Sequence, residues 1–207
     1  MLNNLKLLLV TICSFYLMGC VSPLTVEESA PNVNINQSVD AVSIAVLDQR
    51  PYVLDGDKTP DFEGIIRSGL GIPYSHTTIT KEPMATYLGN RLESGIKQKG
   101  IDVEQHRTDT AMQFSNLMSK LKADGKPSII VVLKEWKYDF HAFADSSWYD
   151  VNVTVTDRTG TQTITKNYSG ENDIPDNGAI MNEMMLIYKA RFEEIFSDPE
   201  LRTVIEN

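Results

Sequence analysis

Three segments between residues 128 and 168 alternate apolar and polar side chains, and this pattern restricts the folds that the chain can adopt. Residues 128–140 begin as a continuous apolar run and then alternate, while residues 148–156 alternate throughout. A period of two is typical of strands that bury one face. Residues 157–160, Asp-Arg-Thr-Gly, have the composition of a turn, and the Thr-rich residues 161–168 suit a return strand. The pattern predicts a three-stranded antiparallel meander.

The rest of the chain adds strands and helices to this meander. Residues 42–47 are mostly apolar and predict a buried strand, and residues 101–104 alternate as a short exposed strand does. Apolar side chains recur at helical spacing in residues 82–99, 108–123 and 178–196. Because amphipathic helices need a sheet face to cover, we expect an α+β fold. Its sheet should be mostly antiparallel or mixed, with about four to five strands and two to three helices packed on one face.

The segment after the first strand, residues 49–81, carries three prolines and four glycines without a clear period. This composition predicts a long loop, which is uncommon inside a compact domain and is usually functional. Asp48 and Arg50 lie two positions apart at the strand end and therefore point to the same side. We expect them to pair with each other or to pin the long loop, and we favour this structural role over catalysis.

Aromatic side chains provide a candidate binding surface. Trp136, Tyr138 and Phe140 lie on one face of the long strand, and Trp148 in the next strand is expected to stand across from them. If this face is open, it is a contact surface for a partner, because aromatic residues are enriched at interfaces. If a helix covers it, the same side chains belong to the core. Both interpretations are compatible with the sequence.

No motif in the chain identifies a reaction. His76, His106 and His141 are the only histidines, and none is close in sequence to another histidine or cysteine, so no metal is expected. No Gly-x-Ser-x-Gly nucleophile motif occurs. The formal net charge of −9 argues against nucleic acid as a partner. We therefore expect a non-enzymatic protein without a cofactor, and a hydrolase with a site in the 49–81 loop is the less favoured alternative.

The first twenty residues have the composition of an export signal. Lys6 precedes an apolar run at residues 7–18, which is too short to span a membrane by itself. The run ends in Leu-Met-Gly-Cys, which resembles the lipobox of bacterial lipoproteins. The resemblance implies that the chain is cleaved between Gly19 and Cys20, that residues 1–19 are removed, and that Cys20 carries covalent lipid.

The cysteine count agrees with this role for the N-terminus. Cys13 leaves with the signal and Cys20 is modified, so the mature chain has no thiol for catalysis and no disulfide. Residues 20–40 are polar after the cysteine and contain two prolines, and they predict a flexible tether. Residues 41–207 are then expected to form a single periplasmic domain.

Four short stretches resemble the YajG-type family of uncharacterised bacterial outer-membrane lipoproteins. These are residues 48–50 after the first strand, 87–100 in the first helix, 165–168 in the return strand and 198–201 near the end. The resemblance covers nearly the whole mature chain. This sequence differs in its longer loop after the first strand and in an additional aromatic stretch at residues 136–149. The resemblance implies placement and fold, and it brings no enzymatic activity.

Placement and function follow as expectations from these features. An Asp after the lipidated cysteine retains such lipoproteins in the inner membrane, whereas Val21 and Ser22 follow Cys20 here. The resemblance therefore implies the outer membrane, with the domain facing the periplasm. We expect a lipid-anchored cell-envelope lipoprotein that binds a protein or another envelope component. The alternative is a purely structural subunit of an envelope assembly.

Overall fold

The computed structural model describes residues 22–36, 38–141, 145–175 and 178–207. The predicted signal peptide, its cleavage site at Gly19 and the lipidated Cys20 lie outside the described residues. In the part of the chain that is described, no helix combines the length and the apolar character needed to cross a bilayer.

The described chain forms one sheet of seven strands and five helices. The strands are β1 (Ala41–Asp48), β2 (Phe62–Arg67), β3 (Pro73–Thr77), β4 (Asp102–His106), β5 (Ser128–Phe140), β6 (Ser146–Thr156) and β7 (Thr163–Asp173). The helices are α1 (Pro51–Leu54), α2 (Met84–Lys97), α3 (Phe114–Ala123), α4 (Ile180–Ile195) and α5 (Pro199–Glu206). The predicted α+β class and the mixed sheet are confirmed, with seven strands instead of four to five.

The long strand β5 organises the sheet. β6 pairs antiparallel along its whole length and β7 follows antiparallel, so the predicted meander is confirmed. On the other edge, β1 pairs parallel with the first half of β5 and β2 pairs parallel with its last residues. β4 extends the sheet beyond β1, and β3 completes a hairpin with β2.

Helices cover both faces of the sheet, in contrast to the predicted single face. On β1, Val42, Ile44 and Val46 point to one side and join the main core, to which α2, α4 and α5 contribute. Ala45 and Leu47 point to the other side and form a smaller core with α3. The second face is covered because α3 connects β4 to β5 and packs on that face. Both strands are parallel to β1, so the connection has to cross the sheet.

The predicted long loop at residues 49–81 is wrong, because α1 and the β2–β3 hairpin occupy most of it. Its glycines and prolines lie at the ends of short helices and strands, or where the backbone packs closely against another strand. Gly71 has a φ of +80° in the hairpin turn, a conformation that glycine adopts without strain. Gly64 lies directly against the ring of Tyr138, where a Cβ would be only 2.6 Å from the ring atoms.

The predicted flexible tether is corrected over its described residues, 22–36 and 38–40, because both ends of this segment pack on the domain. Val33, Ile35 and Val39 are buried in the main core, although no regular element contains them. Nearer the N-terminus, Asn182 of α4 donates to the carbonyl of Ser22 at 3.1 Å and accepts from the amide of Leu24 at 3.0 Å. The alternation Val-Asn-Ile-Asn at residues 33–36 is the sequence signal for this extended, half-buried path.

Candidate functional site

Asp48 and Arg50 form the predicted pair at the carboxyl end of β1. Arg50 is fully buried, and its Nε and Nη2 donate to the two carboxylate oxygens of Asp48 at 2.9 and 2.8 Å. Its Nη1 donates to the carbonyls of Phe62 at 2.8 Å and Trp136 at 3.0 Å. Its Nη2 also reaches the carbonyl of Pro60 at 3.2 Å. The pair therefore fixes the start of the β2–β3 hairpin to β1 and β5.

The electrostatics of this pair are those of a structural anchor. Burial lowers the pKa of Arg50, but the hydrogen bond and the charge of Asp48 outweigh it, and the pKa lies above its ordinary value. A guanidinium in this environment keeps its proton throughout the physiological range. Since both carboxylate oxygens of Asp48 are also engaged, we assign the pair to structure rather than to proton transfer.

Of the two interpretations of the aromatic strand face, the open contact surface does not hold for Trp136 and Tyr138. Both are buried in the main core, because α4 crosses this face. The ring centroid of Trp136 lies 5.8 Å from that of Phe192, with the two rings nearly parallel, and 5.1 Å from that of Tyr188. The alternative in which a helix covers the aromatic face is therefore the one that the structure adopts. Phe140, at the end of the strand, is half-buried against the same core.

Trp148 does not stand across from Trp136. The partner of Trp136 in β6 is Tyr149, with ring centroids 6.0 Å apart, while Trp148 pairs with Lys137 and so lies on the other face. Trp148 is half-buried. A register shift between Leu133 and Glu135 sets this pairing, and such a bulge cannot be located from alternation alone.

The tip of the β2–β3 hairpin presents an apolar surface that the sequence analysis did not identify. Leu70 is 90% exposed, Ile72 51% and Tyr74 57%. We call these three residues the hairpin tip. The hairpin itself is held firmly, since Arg67 at the end of β2 donates to both carboxylate oxygens of Asp139 in β5, at 2.7 and 2.5 Å. The tip is therefore an exposed apolar group on a hairpin that is joined to β5.

A small cleft opens where β1 and β4 end. It has a volume of about 130 Å³ and is lined by Asp48, Pro60, Pro83, Ala85 and residues 108–110. The carboxyl ends of parallel strands are a common place for ligands. Pockets for organic ligands usually measure about 300–1,000 Å³, so this cleft suits only a very small ligand.

The three histidines do not converge. His76 contacts the hydroxyl of Tyr138 and lies 3.5 Å from the carboxylate of the buried Glu63. His106 belongs to a different cluster, in which one ligand atom each of Glu104, His106 and Asp124 lies within 4.8 Å of the others. The sequence analysis did not identify this cluster because Asp124 lies far from β4 in the chain and only the fold brings it there. In addition, the alternation of β4 predicted an exposed strand, on which Glu104 and His106 carry no recognisable motif.

The comparisons with known proteins add the following. No protein-family model matches the chain, and no curated protein matches it. Among solved structures, it is similar to protein XCC0632 from Xanthomonas campestris, of the family DUF330, with 7% identity, 86% of this chain and 94% of that chain covered, and a TM-score of 0.47.

Two further solved structures are similar at the same level. A PelC dodecamer from Paraburkholderia phytofirmans has 9% identity, covers 86% of this chain and 97% of its own, and has a TM-score of 0.43. Lipoprotein GNA1162 from Neisseria meningitidis has 7% identity, covers 76% of this chain and 99% of its own, and has a TM-score of 0.36. Likenesses of this size assign neither a family nor a function to the chain.

Proposed function

We propose that this protein is a lipid-anchored, non-enzymatic envelope protein of the outer membrane, which faces the periplasm and binds a protein partner through its hairpin tip. The observation that carries the proposal is the exposure of Leu70, Ile72 and Tyr74 together on one hairpin. Contiguous exposed apolar groups mark interaction sites more often than isolated ones do. The anchor is supported by the Leu-Met-Gly-Cys stretch that ends at Cys20.

The packing of the N-terminal segment on the domain limits the distance between the domain and a lipid on Cys20. Only Val21 separates Cys20 from Ser22, whose carbonyl already bonds to Asn182. An extended chain spans at most about 3.5 Å per residue, so two residues allow roughly 7 Å. The domain would therefore sit close to the headgroups, instead of at the distance that a free twenty-residue tether would allow. A partner that reaches the hairpin tip would be another component of the same membrane surface or of the adjacent periplasm.

Replacing the lipidated residue tests the anchor. We expect Cys20→Ala to be absent from the outer-membrane fraction, and its domain to keep the urea-unfolding midpoint of the domain that proteolysis near the N-terminus releases from the lipidated protein. The physical reason is that stable attachment needs two or more acyl chains, which the alanine variant lacks. If Cys20→Ala still fractionates with outer membranes, the anchor is not the lipid.

Charge at the hairpin tip tests the binding surface. We expect Leu70→Asp to reduce capture of the partner at least tenfold while changing the free energy of unfolding by less than about 0.5 kcal/mol, since the side chain is almost fully exposed. Capture by Leu70→Asp is measured by ultraviolet crosslinking in intact cells, with a photoreactive amino acid in place of Tyr74, which is also exposed at the hairpin tip. In a chain without the Asp substitution, the same amino acid in place of Leu70 maps the contact. Leu186, 46% exposed on α4, is the matched control position.

The crosslinking pattern separates the outcomes. A discrete protein adduct from position 70 that is absent from position 186 supports the proposal. Adducts with lipid alone would show that the tip contacts the bilayer, and they would overturn the protein-binding part of the proposal. Equal protein adducts from both positions would show that the tip has no special role.

A further inference from the structure

We propose that Glu104, His106 and Asp124 form a binding site for a divalent transition-metal ion, with Zn²⁺ as the best match. Nε2 of His106 lies 2.7 Å from Oδ2 of Asp124 and 3.8 Å from Oε1 of Glu104. The first separation is that of a hydrogen bond, which a bound ion would replace. The second is close to the distance between two ligands of one tetrahedral zinc ion, which is about 3.4 Å for bonds of about 2.1 Å. The site is independent of the hairpin tip and of the lipid anchor.

Two elements of the fold bring the three side chains together. Glu104 and His106 are two residues apart on the edge strand β4 and therefore share a face. Asp124 is the residue that ends α3, the helix that packs on this same face. The parallel pairing of β4 with β1 places Ser43 beside Glu104 and Ala45 beside His106. The imidazole is thus held in place by the sheet, and only 8% of His106 is exposed.

The carboxylates have the supporting hydrogen bonds that metal ligands usually have. Ser43 donates to Oδ2 of Asp124 at 2.6 Å, and Lys126 donates to Oε2 of Glu104 at 2.6 Å, which leaves Oε1 facing His106. The two carboxylates are therefore held in position beside His106.

The donor set selects the kind of ion. One imidazole nitrogen with two carboxylate oxygens suits zinc and its neighbours, whereas Mg²⁺ and Ca²⁺ prefer sites made of oxygen alone. Two carboxylates neutralise the charge of a divalent ion. Three protein ligands leave the fourth tetrahedral position open to water or to an external ligand, and the 48% exposed side chain of Glu104 leaves a path from solvent.

Calorimetric titration of the purified full-length protein in detergent, without a histidine tag, tests this site. We expect one saturable site per chain for ZnCl₂, and affinity for MgCl₂ at least 100-fold weaker. Absence of saturable zinc binding, or equal affinities for the two salts, would overturn the proposal.

Three variants locate the binding. His106→Gln should weaken zinc binding by more than about 100-fold, because loss of an outer-shell partner alone typically weakens it 10–100-fold. Glu104→Gln lies at the surface and folds normally, and it should weaken binding by about tenfold or more. His76→Gln removes the imidazole of the other histidine–carboxylate pair and should leave the affinity unchanged. Zinc binding that persists in Glu104→Gln but is lost in His76→Gln would contradict the site.

Discussion

Arg50→Ala is expected to lower the free energy of unfolding by about 3–5 kcal/mol, the usual effect of removing one partner from a buried ion pair. The substitution leaves the carboxylate of Asp48 buried without its counter-charge. It also removes the donor from the carbonyls of Pro60, Phe62 and Trp136, which lie just before β2, at the start of β2 and in β5. Urea unfolding followed by circular dichroism measures the change.

Two companion variants identify the cause. Arg50→Lys keeps the positive charge but loses the bidentate hydrogen bond with Asp48, so it should be destabilised less than Arg50→Ala. The double variant Asp48→Asn with Arg50→Met removes both charges and should be destabilised by less than the sum of its single variants. If Arg50→Ala lies within about 1 kcal/mol of wild type, the pair does not hold the hairpin in solution.

Trp136→Ala is expected to destabilise the domain by about 3–5 kcal/mol, as truncation of a large core aromatic does. The indole is fully buried between Tyr149 of β6 and Tyr188 and Phe192 of α4, so its removal opens a cavity between the sheet and α4. For a domain of this size, this loss corresponds to a fall in Tm of roughly 6–20 °C. Scanning calorimetry measures it directly.

Two tryptophan controls accompany this measurement. The indole nitrogen of Trp136 has no hydrogen-bond partner among the described residues, so Trp136→Phe should lose much less stability than Trp136→Ala. Trp148→Ala, on the other face and half-buried, should also be mild. If Trp136→Ala keeps a Tm close to that of wild type but loses partner capture, Trp136 belongs to the binding surface. That result would contradict its assignment to the core.

Most of the regular elements were predictable because their signal is local. The alternation of β6 and the four-residue spacing of apolar side chains in α2 involve residues that are neighbours in the chain. The β2–β3 hairpin was not predicted because its two strands are only six and five residues long and contain Gly64 and Pro73. Segments this short, with glycine and proline inside them, show the same composition as a loop.

The candidate surfaces depended on packing between distant elements, and this is why they could not be predicted. Whether Trp136 is core or surface is decided by α4, which begins forty-four residues later in the chain. The candidate metal site likewise depends on the fold. It forms only because α3 ends beside β4 and places Asp124 next to His106.

The amino-acid sequence alone was sufficient to predict the α+β class, the meander and the pairing of Asp48 with Arg50. It also carries the lipobox-like stretch at Cys20, whose role stays a prediction. These properties reside in the period, spacing and chemistry of residues close together in the chain. Tertiary structure decided which apolar groups are covered, how far the chain is packed before β1, and that Leu70 and its two neighbours remain exposed. Burial is a property of surfaces that meet in space, and local sequence patterns do not specify which surfaces meet.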